Sequence, residues 1–278
     1  MLNPLTSQRR QRVLGLALGG LAASGALLGA ALVLQNLRDQ GPLLLPSPHQ
    51  RAPEPPAQAA WVSPLKRQCH SGDSALRQRL LALQRGLPQR TERLRIDPSN
   101  YADRQTRDAY GSRLDTTPSL VVLHETVYGL GSAINTFTTH HPNDADQVSY
   151  HLLLGEHGRV VETLDPSKRA YGAGYSAFQG RWVITNPSTA GSVNNFALHL
   201  SLETPLDGED SDASHSGYST IQYDHLALVL AEWMRRYRIP FDAITTHRHV
   251  DLGLERADPR SFDWSALQRR LAALGALC

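Results

Sequence analysis

The stretch Phe196-Ala197-Leu198-His199-Leu200-Ser201-Leu202-Glu203 alternates apolar and polar side chains. Successive strand residues point to opposite faces, so Leu198, Leu200 and Leu202 share one side and His199, Ser201 and Glu203 the other. Working outward, Leu120-Val121-Val122-Leu123 is a continuous apolar run that ends at His124, as expected of a second, buried strand. Residues 149–154 read as a strand, the turn Gly155-Glu156-His157-Gly158 reverses it, and residues 159–162 return as a hairpin. Residues 242–246 make a short strand. Helical periodicity marks residues 74–85 (ending at Gly86), a start at 132–137, then 221–237 and 264–274. Strands and helices interleave. The expected fold is α/β, a mixed central β-sheet flanked by helices over roughly residues 100–278.

The chain has 278 residues, which suits one or two domains at roughly 150 residues each. Its 41% hydrophobic and 19% charged residues are those of a globular protein. Twenty-eight basic against 26 acidic residues leave a formal charge of +2, which gives no electrostatic reason to expect a nucleic-acid partner. Two cysteines, Cys69 and Cys278, exclude a disulfide-dense scaffold and a four-cysteine metal site. Twelve histidines make metal binding or proton transfer worth pursuing.

Arg9, Arg10 and Arg12 precede residues 13–34, which are 22 residues without a charge. About 20 apolar residues span a bilayer core, and basic residues before the span put the amino end in the cytoplasm. Residues 1–40 are therefore expected to be a transmembrane anchor, with a cleaved signal peptide as the alternative. The remainder would be exported, to a periplasm or, after cleavage, as a secreted protein. Seven prolines between Pro42 and Pro64 read as a semi-rigid linker over residues 41–65. In an oxidising compartment Cys69 and Cys278 could pair and pin the domain's ends together, two free thiols being the alternative.

His124 ends a buried strand, where a satisfied core histidine competes with a ligand. The segment following the 242–246 strand gathers His247, Arg248, His249, Asp251, Arg256 and Asp258. Loops at strand ends are where α/β proteins assemble sites. No close-spaced zinc signature is present, so spacing alone leaves the metal open.

Four segments, V-V-L-H-E-T (121–126), V-S-Y-H-L-L-L-G-E-H-G (148–158), N-N-F-A-L-H-L-S-L-E (194–203) and T-H-R-H-V-D-L-G-L-E-R-A-D-P-R (246–260), occur in the order of a known family. Together they resemble the zinc-dependent N-acetylmuramoyl-L-alanine amidases of the amidase-2 group, related in fold to peptidoglycan recognition proteins. The resemblance runs from about residue 115 to 267. It implies an amidase domain over residues 115–278, preceded by an extension at 66–114 with one short helix. It implies Zn²⁺ held by His124, His247 and Asp258, with His249 the rival of His247. Three protein ligands are the number a catalytic zinc site uses. It further implies Glu203 as the proton-transfer group and Arg256 as an oxyanion donor, against an exposed strand carboxylate for Glu203. The substrate implied is the amide between N-acetylmuramic acid and L-alanine in peptidoglycan; a non-catalytic peptidoglycan-binding module of the same fold is the alternative. Gly172 departs from the pattern, because that stretch often carries a histidine there. Tyr150 and His151 are candidates for the groove wall, His140 and His141 are expected in solvent, and the acidic stretch 205–216 reads as a solvated loop.

Overall fold

The computed structural model describes residues 51–69 and 72–278. Strands β1 (Thr91–Arg93), β3 (Leu120–Glu125), β4 (Leu152–Leu154), β5 (Val160–Glu162), β7 (Ala197–Leu202) and β8 (Ile244–Thr246) form one sheet in the order β1-β5-β4-β7-β3-β8. The sheet is mixed: β4, β7, β3 and β8 run parallel, β5 is antiparallel to β4, and β1 is parallel to β5. β2 (Tyr101–Asp103) and β6 (Lys168–Ala170) form a separate antiparallel ribbon.

Every residue of β3 and β7 is buried, as parallel strands covered on both faces require. Leu198, Leu200 and Leu202 join one apolar cluster with Leu226 and Leu230 of α3 (Thr220–Tyr237) and with Leu267 and Leu271 of α5 (Trp264–Ala273). A second cluster joins Leu130 and Phe137 of α2 (Leu130–Thr138) to Leu153 and Val161. α3 starts at a capping box in which Ser219 and Gln222 bond each other's backbone N–H. α1 (Ser74–Arg90) packs Leu80 against Leu228 and Ala273. It runs past the expected stop at Gly86. A mid-helix glycine costs about 1 kcal/mol relative to alanine, and packing of Leu87 against the core offsets that.

The 66–114 segment packs into the same fold: it supplies β1 to the sheet and buries Arg104 beneath the carbonyls of Asn195 and Ala197. The described part of the 41–65 linker, residues 51–65, packs on the domain. Leu65 is in the core, Trp61 donates to the Asp242 carbonyl at 2.9 Å, and Trp182 donates to the Pro53 carbonyl at 2.9 Å. Apolar surface on Trp61 and Leu65 outweighs the stiffness of the prolines. Cys69 and Cys278 are joined by a disulfide, their Cα atoms 4.5 Å apart. Among the described residues no helix is long and apolar enough to cross a membrane, and the 13–34 run lies outside them.

Candidate metal centre

β3 delivers His124 at its carboxyl end, directly opposite Ser201 of β7. β8 leads into a single helical turn, α4 (His247–Val250), whose Thr246 hydroxyl caps the N–H of His249. That turn presents His247 beside His124. The third residue arrives from the loop that follows, where Arg248 N–H donates to the Asp258 carbonyl at 2.9 Å. One donor atom from each of His124, His247 and Asp258 lies within 4.8 Å of the others. His124 Nδ1 stands 3.3 Å from Asp258 Oδ2, and His247 Nδ1 stands 3.0 Å from Asp258 Oδ1.

Glu125, the next residue on β3, fixes the Asp258 loop. Its carboxylate accepts from the backbone N–H of Arg260 at 3.0 Å, from the Arg260 guanidinium at 2.5 Å and from the Tyr218 hydroxyl at 2.6 Å. Arg260 also donates to the carbonyls of Gly208, Asp210 and Asp212. The 205–216 stretch is therefore anchored from below, and is not simply a solvated loop. Glu125 and Arg260 are 135 positions apart, and no local pattern in the sequence announced the pair.

Electrostatics leave the cluster ready for a cation. Burial pushes the His124 imidazole down to about 4, so it is neutral at pH 7 with a lone pair to offer. Burial also works to raise the Asp258 carboxyl, but hydrogen bonding and charge from His124 and His247 outweigh it and hold the group below the usual range. His124 Nδ1 is buried, with the Asp258 carboxylate 3.3 Å away. A buried imidazole nitrogen beside a second imidazole and a carboxylate fits the nitrogen and oxygen donor set of zinc.

The cluster opens into a cleft of about 700 Å³ lined by Tyr150, Arg169, Tyr171, Gly172 and Asn194 among others. Arg256 lines it too, and no hydrogen bond or ion pair to a described residue holds its guanidinium. Its backbone N–H is fixed by Asp251, which also caps Glu255. Tyr150 stacks on His124 with ring centres 4.2 Å apart, and burial keeps its phenol protonated. His151 does not reach the cleft; it is buried, with Lys168 and His199 as neighbours. His249 points away from the cluster, its ring tilted against Trp61 and edge-on to Phe178. His140 is exposed beside Asp97, as expected, whereas His141 is half-buried against the Thr136 carbonyl.

Glu203 is not brought to the cluster. Its Oε1 accepts the N–H of Leu130 at 2.6 Å and its Oε2 that of Glu156 at 2.7 Å. The carboxylates lining the cleft are Glu125, Asp144, Asp146 and Asp258. Strand alternation puts Glu203 on the His199 face, but just beyond the last ladder residue, where it meets the first turn of α2. A carboxylate there is favoured by the free N–H groups of the helix end. We expect Glu203→Gln, which turns an NH₂ toward one of these donors, to cost about 1–3 kcal/mol in urea unfolding. Metal affinity should be unchanged and kcat reduced less than about tenfold, one factor of ten being 1.36 kcal/mol of barrier. A much larger loss of kcat at unchanged stability would return Glu203 to proton transfer.

Comparison with known proteins adds independent findings. Residues 114–261 match the family model described as N-acetylmuramoyl-L-alanine amidase. The chain is similar to the 1,6-anhydro-N-acetylmuramyl-L-alanine amidase AmpD of Citrobacter freundii, 32% identical over 167 residues, which cover 54% of this chain and 79% of that one. AmpD of Escherichia coli K12 is 31% identical over 167 residues, covering 54% and 81%. A crystal structure of a selenomethionine AmpD derivative superposes with a TM-score of 0.48 at 26% identity, covering 64% of this chain and 93% of that chain.

Proposed function

This chain belongs to the N-acetylmuramoyl-L-alanine amidase family, and from that premise we propose that it is a zinc-dependent hydrolase of the amide between the lactyl group of N-acetylmuramic acid and L-alanine. The observation that carries the reading is the convergence of His124, His247 and Asp258, the last two lining a cleft whose wall carries the Arg256 guanidinium, unpaired among the described residues. Those three residues would hold the ion. When bound, zinc supplies a Lewis acid for the scissile carbonyl and a water activated near neutral pH.

The remaining work falls to the chain's own groups. Arg256 hydrogen-bonds the oxyanion that develops on the carbonyl, a donor of a kind worth roughly 2.7–4 kcal/mol. No described residue holds its guanidinium, so bound substrate fixes its aim. Tyr150 covers one face of the His124 ring and excludes water from it. Glu125 and Arg260 hold the Asp258 loop in register.

The AmpD relatives are named for a 1,6-anhydro sugar, so anhydro-muropeptides belong among the proposed substrates together with the polymer. Export to the periplasm, by an anchor or a cleaved signal at residues 1–40, completes the proposal. The Cys69–Cys278 bond supports it, since such bonds persist in oxidising compartments.

Digestion of peptidoglycan and of anhydro-muropeptides with the full chain, followed by mass spectrometry with and without a chelator, tests the reading. Stem peptides beginning at L-alanine and released only with metal are expected. Cleavage at another bond, or release that survives the chelator, would overturn it.

A further inference from the structure

The polar face of β7 carries a buried histidine that the mechanism above does not use. His199 Nδ1 lies 2.9 Å from His124 Nε2, and both rings are wholly buried. His199 is itself held from behind. Its backbone N–H donates to His151 Nδ1 at 3.0 Å, and the two rings lie parallel within 5° at a centre spacing of 6.0 Å. On the near side stands Gly172. A Cβ at that position would sit 2.3 Å from His199 Nδ1 and 2.4 Å from its Cγ, far inside contact distance. The space a side chain at 172 would take is filled by the His199 ring.

We infer that His199 is a positioning residue for the ligand His124, accepting its Nε2–H and thereby presenting Nδ1 to the metal, and that Gly172 is required so that His199 can occupy this place. The inference rests on the ligand set proposed above. An imidazole offers a lone pair at one nitrogen only while the other keeps the proton. Nδ1 is the nitrogen of His124 that faces Asp258, so the proton belongs on Nε2, and His199 Nδ1 must accept it. The proton of His199 then sits on its own Nε2, which is buried and has no partner among the described residues. A partner of this kind sets both tautomer and ring direction in metal-bound histidines, commonly through a carboxylate or carbonyl. Here another imidazole takes that role. It also removes the freedom of His124 to rotate its ring and present the wrong nitrogen.

Three variants of the full chain separate this role from simple packing. His199→Leu keeps bulk without an acceptor, His199→Asn keeps an acceptor oxygen near the place of Nδ1, and Gly172→Ala pushes the His199 ring away. Zinc affinity, read by competition with a chromophoric chelator, should fall about 10–100-fold in His199→Leu and Gly172→Ala and stay within about threefold in His199→Asn. On the unsubstituted, zinc-loaded chain, ¹⁵N spectra of the histidine rings should show His199 protonated at Nε2 and bare at Nδ1. Wild-type affinity in His199→Leu, or a proton on His199 Nδ1 in the zinc-loaded chain, overturns the inference. If His199→Leu does not fold, the ring spectra decide alone. An unsubstituted chain that binds no zinc refutes the ligand set instead, and is seen before any variant is made.

Discussion

His247→Ala is expected to remove zinc binding and amidase turnover together. Loss of an outer partner of a ligand costs roughly 10–100-fold in affinity, and loss of a ligand costs more than that. Two effects combine at this position. The coordinating set drops from three protein ligands to two, below the number on which catalytic zinc sites are built. Asp258 also loses the imidazole 3.0 Å from its Oδ1, one of the two partners that hold a buried carboxylate in its charged form. With that partner gone, burial opposes the charged form with less to offset it, and the carboxylate is held less firmly toward the ion. His249 cannot take over, because its ring is held 4.6 Å from Trp61 on the other side of the helical turn. His249→Ala is accordingly expected to keep wild-type zinc affinity. Metal content after dialysis, measured for both variants, checks the pair of statements. Full occupancy in His247→Ala would sink the ligand assignment.

Much of this was legible in the sequence where a local pattern had a single physical solution. The alternation from Phe196 to Glu203 fixed which side chains share a face of β7, and the apolar run before His124 could only be a covered strand. The ligands were different. His124 lies far along the chain from His247 and Asp258, and only the family resemblance joined the three before parallel pairing of β3 with β8 did so in space. What escaped notice was short or non-local. β1, β2 and β6 are three residues each in polar surroundings, and pairing partners elsewhere decide them. Alternation gave the face of Glu203 correctly but said nothing of its reach, which the N-terminus of α2 determines. The importance of Gly172 was visible only as a departure from pattern. Its cause is the ring that crosses from β7.

The metal-free protein is expected to lose stability steeply as pH falls from about 6.5 toward about 4. Burial drives the change. It pushes His124 down to about 4 and His151 down to about 3, and it holds His199 well below the ordinary imidazole value, with the neighbouring imidazoles adding to the effect. His225 and His249 are shifted the same way by burial. In the unfolded chain each of these rings titrates near 6.5. Above that value both states are neutral and the histidines leave stability independent of pH. Below it the unfolded chain takes up protons that the folded chain cannot, so unfolding gains about 1.4 kcal/mol per ring for each pH unit. The three fully buried rings alone supply at most about 4 kcal/mol per unit, against a total stability of roughly 5–15 kcal/mol for an ordinary domain. Asp258 does not offset this loss. Its depressed carboxyl contributes stability that is present above the usual carboxylate range and is lost only at still lower pH. Zinc, by binding only neutral imidazoles, should raise the plateau near pH 7 and make the fall steeper as acid strips it. Urea midpoints from tryptophan fluorescence on chelator-treated protein at pH 7.5, 6.0 and 5.0 measure the slope. A midpoint that stays level to pH 5.0 would mean that water reaches these rings, and that the dry, neutral imidazole cluster on which the ligand site depends does not form without metal.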